Sequence, residues 1–248
     1  MRMDEKLVSY GFYCAVYPLE AFLVVFLFYR GQWRRLTAVS AYLCTLLAVD
    51  GVGRSYFLYQ YGRASLEYAY FYWLTDVVLA LGAFVLVCAF FWRACLGEEK
   101  LWRFVRLLLV FVFFLVAGIS AITLSRNLSH IFTRFIIEFQ QNLYFTCLVL
   151  NTLLYLLMQQ LESVDDELGL LVCGMGIQLA GPAATLALVH LTPGQSSAEW
   201  LLRFISPLAT MGMLATWFYA VARMPQPTAA PAGNGDFSDA KETAPIGA

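Results

Sequence analysis

Seven predominantly apolar stretches follow one another along the chain: Leu7–Tyr29, Leu36–Tyr59, Ala69–Cys95, Leu101–Leu124, Ile131–Gln160, Leu168–Leu191 and Trp200–Ala222. A hydrocarbon core of about 30 Å takes about 20 apolar residues as a helix, so each stretch is long enough to cross a bilayer. Backbone groups in lipid must be satisfied internally, which leaves helices and closed barrels. A barrel needs alternating segments of about ten residues, and none is visible. The expectation is an all-α integral membrane protein, a seven-transmembrane-helix bundle over residues 1–223. Its connections are short and polar: RGQWRR, YGRASLE, GEEK, SRNLS, ESVDDE and TPGQSS. The fifth stretch is long enough to tilt or to project from the membrane.

Composition points the same way. Hydrophobic residues make up 60% and charged residues 13%, against about 25% charged in a soluble domain. The partner this implies is the lipid bilayer. A net charge of −1 without a basic stripe argues against nucleic acid. Residues 224–248, MPQPTAAPAGNGDFSDAKETAPIGA, lose the apolar pattern and are rich in Pro, Ala and Gly, so a disordered tail is expected with no output domain attached. The opening MRMDEK lacks the form of a cleaved signal peptide, so the first span is expected to be retained.

Lys and Arg near helix ends set orientation. Arg30, Arg34, Arg35, Arg93, Lys100, Arg103, Arg106 and Arg223 fall on one side. Arg2, Lys6, Arg54, Arg63, Arg126, Arg134 and Arg203 fall on the other, but Arg54 and Arg134 lie within spans. The denser clusters on the first side place the N-terminus outside and the C-terminus in the cytoplasm of a plasma (inner) membrane. The acidic ESVDDE loop is then cytoplasmic too, an oddity for that side.

The polar residues inside the spans are unevenly distributed. Glu20, Asp50, Arg54, Asp76, Arg134, Glu138, Gln140, Gln141 and Asn142 all lie at mid-depth or toward the N-terminal side. Ten of the 14 tyrosines share that half, while Tyr29, Tyr42, Tyr155 and Tyr219 lie in the other. Trp33, Trp92, Trp102 and Trp217 are placed as a belt at the second interface. A charged group near the bilayer centre costs about 2.5–3.5 kcal/mol, so such groups should face one another or water.

Spacing suggests how. Asp50 and Arg54, four apart, share a helix face and can pair. Tyr72 and Asp76 share a face of the third span, Tyr13, Tyr17 and Glu20 one of the first. His130, Arg134, Glu138 and Asn142 recur every four residues along the fifth. The Asp50–Arg54 pair reads as structural before it reads as a ligand clamp, and the fifth-span stripe can be a wet helix end. Asp76 has three options: a tyrosine hydrogen bond, a salt bridge to Arg54 or a ligand. Glu20 has no cation on its own helix. The candidate ligand-binding residues are therefore Glu20, Asp50, Arg54, Tyr72, Asp76, Arg134 and Glu138, around a tyrosine-lined cavity open to the outside.

Elsewhere the polar chemistry thins out. Pro182 and Pro207 can kink the sixth and seventh spans. Gly176, Ala180 and Ala184, with Gly212 and Thr216, form small-residue rows for close helix packing. The six cysteines fall in apolar runs without metal-ligand spacing and read as packing residues. No catalytic or nucleotide motif is present, and His130 and His190 are the only histidines. Neither an enzyme nor a bound cofactor or metal is expected.

YFYWLTD in the third span resembles the third helix of microbial rhodopsins, but the seventh span lacks the lysine that would hold retinal. A Tyr/Phe/Trp run before an acidic residue in span three, with the aromatic exit TWFYAVARMPQ from span seven, resembles uncharacterised bacterial seven-span integral membrane proteins. That resemblance implies fold and location and carries no activity.

Three functions fit these observations. The first is a receptor-like or sensing protein with a tyrosine- and carboxylate-lined outward cavity for a small-molecule ligand. The second is a proton- or cation-coupled small-solute transporter using Glu20 and Asp76. The third is a structural subunit of a larger membrane complex.

Overall fold

A computed structural model describes residues 2–62, 65–124, 131–161, 165–191 and 196–223, with side chains placed for residues 15–62, 65–122, 135–136, 138–161, 165–184 and 204–223. Among the described residues every regular element is helical. The α-helices are α1 (Arg2–Tyr29), α2 (Thr37–Leu46), α3 (Arg54–Tyr61), α4 (Leu66–Ala94), α5 (Glu99–Leu124), α6 (Ile131–Gln160), α7 (Asp166–Leu191) and α8 (Ser196–Arg223). Five of them, α4 to α8, contain described stretches long and apolar enough to cross a membrane; the described apolar part of α1, Ala15–Tyr29, is shorter. The expected tail, 224–248, and His130 lie outside the described residues.

The second expected span is not one α-helix. Between α2 and α3 the chain widens into a π-helical turn, Leu47–Gly53, and then resumes. The local sequence LAVDGVG explains the tolerance for it. Gly51 and Gly53 are weak α-formers and lie where the chain is crowded. A Cβ on Gly53 would sit 3.0 Å from Phe71 and 3.2 Å from the Ala48 carbonyl oxygen. The vacated space lets Phe71 of α4 stack on Phe57 of α3, ring centroids 3.9 Å apart.

The helices pack as a ring. α1 touches α8, α8 lies along α7, α7 along α6, α6 along α4, and α4 meets α2, which returns to α1. α5 packs outside the ring against α6 and α4. The buried positions follow helical periodicity. α6 buries Phe139, Leu143, Cys147, Leu150, Leu154 and Met158 along one seam, and α1 buries Val16, Glu20, Leu23 and Leu27. α4 buries residues over a wider arc, from Leu79 to Phe91, as a helix with neighbours on several sides must.

Lipid is as apolar as leucine, so close packing rather than the hydrophobic effect holds such helices together. The α7–α8 pair shows it best. A Cβ on Gly174 would come within 2.6 Å of Trp217, and one on Gly181 within 2.8 Å of the Ala209 Cβ. The expected row is thereby corrected: Ala180 and Ala184 are exposed, and Gly174, Gly181 and Gly212 make the close approach. Trp217 also leaves its expected place in the interfacial belt. It is 0% exposed, and its Nε1 donates to the Leu171 carbonyl at 2.9 Å. Both α7 and α8 continue as helices through Pro182 and Pro207.

Candidate functional site

The Arg54 side chain is the hub of the polar half. It opens α3, directly after the π-turn. Its Nη1 lies 2.7 Å from Asp50 Oδ1, too far off-angle to be a hydrogen bond. Its Nη2 is ion-paired and hydrogen-bonded to Asp76 Oδ1 of α4. Its guanidinium lies over the Tyr72 ring, 4.1 Å from the centroid, the geometry of a cation–π contact. The three options for Asp76 thus resolve to the salt bridge. One guanidinium, clamped between two carboxylates and an aromatic face, ties α3 and the π-turn to α4. Its Nε is left without a hydrogen-bond partner.

Glu20 is different. It is 1% exposed, its Oε2 has no hydrogen-bond partner, and among the described residues it belongs to no ion pair. Its surroundings do include charge and tyrosines. α1 contacts the π-turn, and Tyr17, one turn before Glu20, reaches within 4.0 Å of where a Cβ on Gly51 would stand. Asp50 is within electrostatic reach of Glu20. Asp50 and Glu20 are both within electrostatic reach of Tyr42, and Asp50, Arg54 and Asp76 are so placed about Tyr144. The cluster therefore holds three carboxylates and one guanidinium, and that guanidinium is already shared by two of them.

Of the expected site residues, Asp50, Arg54, Tyr72 and Asp76 come together in direct contact, with Glu20 close by. Glu138 does not join them. It is half-buried on α6, and among the described residues no ion pair links it to the cluster. The side chain of Arg134 lies outside the described residues. On the same helix, Asn142 donates from Nδ2 to Ser120 Oγ at 3.1 Å and fastens α6 to α5; Ser120 is fully buried.

Sequence reading missed two residues here. Tyr144 was counted among the tyrosines of this half but not among the site residues. Tyr42, expected in the opposite half, is buried against Trp217, ring centroids 6.2 Å apart, and against Gly82 of α4, and is still within electrostatic reach of Asp50 and Glu20. The nearest sequence signal is Gly82 itself, a gap in an otherwise bulky run.

A second charged network lies at the other ends of the helices. Arg93, in the last turn of α4, donates from Nε and Nη2 to both carboxylate oxygens of Asp165, at 3.0 and 3.1 Å. Its Nη2 also reaches Glu167 at 3.0 Å, and Arg35 reaches the same Glu167 oxygen at 2.7 Å. Asp165 in addition accepts from the Leu168 N–H and caps α7. Arg30 donates to the carbonyls of Val221 and Ala222, both at 2.9 Å, at the end of α8. Asp165 and Glu167, from the acidic stretch that looked out of place on this side, are therefore counter-charges for Arg35 and Arg93.

Five described helices are long and apolar enough to cross a membrane, which defines a multi-pass membrane protein by length and composition. No family model matches the chain, and neither a curated protein nor a solved structure is significantly similar to it.

Proposed function

We propose that this is a receptor-like, sensing protein of the plasma (inner) membrane, with seven spans, the N-terminus outside and the C-terminus in the cytoplasm. Its site is the polar half of the bundle, open to the outside, and its ligand is a small molecule carrying one positive charge. The supporting observation is the Glu20 carboxylate, buried with an unpartnered oxygen. A buried carboxylate needs a hydrogen bond or a counter-charge, or else it takes up a proton. Arg54 cannot serve, because Asp50 and Asp76 already hold it. An ammonium group would supply the missing charge and could lie against the faces of Tyr17, Tyr42 or Tyr144. A metal ion fits less well: among the described residues no group of three or more His, Cys, Asp or Glu is gathered to hold one. In this reading the Asp50–Arg54–Asp76 unit is the wall of the site, and Glu20 is the group that contacts ligand.

The test is thermal stability of the purified full chain with tetramethylammonium or ethylammonium, against neutral alcohols of similar size. The reading expects the cations alone to raise the melting temperature, and Glu20→Gln to remove the rise while itself melting normally. Equal responses to cations and alcohols would overturn it.

A second reading, cation-coupled transport, draws support from the network that ties α2, α4 and α7 together at the opposite ends of the helices. Such a clasp would close one side of an alternating-access cycle. Uptake of the cation into proteoliposomes, lost in Glu20→Gln, would favour transport over sensing.

A further inference from the structure

The exposed face of α5 combines an apolar groove with three cations that, among the described residues, belong to no ion pair. The groove, about 380 Å³, is lined by Phe104, Leu107, Leu108, Val110 and Phe111. Lys100, Arg103 and Arg106 are exposed on the first two turns of the same helix. At 100° per residue Lys100, Leu107 and Phe111 point almost the same way, with Arg103 and Phe104 to either side and Arg106 farther round. The opposite side of α5, with Val105, Leu109, Val116 and Ser120, is buried against the bundle.

Charge is layered along this face. Glu98 and Glu99 are exposed as well, at the start of the helix. Arg103 and Arg106 lie four and seven residues beyond Glu99, about 6 and 10 Å deeper along the axis at 1.5 Å per residue. Lys100 and Arg103 precede the groove residues, and Arg106 lies level with them, between Phe104 and Leu107. Among the described residues none of the three cations has an ion-pair or hydrogen-bond partner, although Arg35 and Arg93 of the neighbouring network are both paired.

We propose that this face is a binding site for one anionic phospholipid, its phosphate held by Arg103 and Arg106 with Lys100 beside them and its acyl chain lying along Phe104, Leu107 and Phe111. Charge complementarity selects the occupant. The headgroup of a zwitterionic lipid would bring its own ammonium against three unpaired cations, whereas an anionic headgroup would not. The cations lie on the side assigned to the cytoplasm, where basic residues beside a membrane surface attract anionic lipid at about 1 kcal/mol each. The site rests on the orientation proposed above but not on the sensing site, since neither Glu20 nor Arg54 takes part in it.

The experiment compares the full chain in bilayer nanodiscs of phosphatidylcholine with nanodiscs containing phosphatidylglycerol, and counts lipids retained on the released protein by native mass spectrometry. The expected result is a roughly tenfold preference for phosphatidylglycerol. That preference should fall below about twofold in the Lys100→Gln/Arg103→Gln/Arg106→Gln variant. It should persist in Arg34→Gln, which removes an exposed arginine elsewhere on the same side. Because the three substituted side chains are exposed and unpaired, the variant should fold, and an unchanged melting temperature in phosphatidylcholine checks that. No lipid preference in the wild type, or an undiminished preference in the folded triple variant, would overturn the proposal.

Discussion

The two arginine networks of this protein use the same parts in different places. Arg54 sits between Asp50 and Asp76, and Arg93 between Asp165 and Glu167. The two arginine side chains are almost equally exposed, 16% and 19%. What differs is the surrounding medium. Arg93 belongs to the last turn of α4 and its partners to the start of α7, where helix ends meet headgroups and water. In the proposed seven-span topology Arg54 lies within the second span, beside a π-turn, with hydrocarbon around the bundle. Fractional exposure alone therefore does not measure the cost of separating charges. A lone carboxylate at the helix ends can be rehydrated, while one at the depth of Asp76 must find a partner inside the protein.

The sharpest way to break this comparison is to remove each arginine. Arg54→Ala leaves two carboxylates without their shared cation. It is expected to cost about 3–5 kcal/mol, read as reversible unfolding in detergent, or to prevent accumulation of folded protein altogether. Arg93→Ala loses hydrogen bonds to two carboxylates that water can reach, and should cost about 1.5–3 kcal/mol in the same assay. Arg35→Ala removes an exposed arm of that network and should cost under about 1 kcal/mol. Salt should separate the two networks without any mutation. Near 1 M salt the screening length is about 3 Å, so the Arg35 and Arg93 contributions should shrink while that of Arg54 stays. Equal losses from Arg54→Ala and Arg93→Ala, or equal salt sensitivity, would remove the distinction.

The networks also differ in how far they could be read from sequence. The Arg54 cluster was legible because charge is rare and expensive in an apolar run, so Asp50, Arg54 and Asp76 stood out and the i,i+4 pair followed from helix geometry. The π-turn was not legible, although two glycines in LAVDGVG marked the segment as permissive. Nor was the nearness of Tyr42 and Tyr144 to the charged groups, which depends on how the helices pack. The second network was hidden for the opposite reason. Charge in loops is common, so Arg35, Arg93 and the ESVDDE segment were counted separately as topology signals. Only the packing of α2, α4 and α7 brings them together. Helix–helix contacts were partly legible: small residues on the last two spans pointed to close packing. Choosing Gly174 and Gly181 over Ala180 and Ala184 required knowing which face meets Trp217 and Ala209.

The central claim is that Arg54 is the internal counter-ion of Asp50 and Asp76, so that removing the arginine does its damage through the carboxylates it leaves behind. The most direct test compares the unfolding free energy of Arg54→Ala with that of Arg54→Ala/Asp50→Asn/Asp76→Asn. If the claim holds, neutralising both aspartates restores more than half of the lost stability. If the triple variant is as unstable as Arg54→Ala, or less stable, the carboxylates are not what the arginine compensates, and the account of the cluster fails.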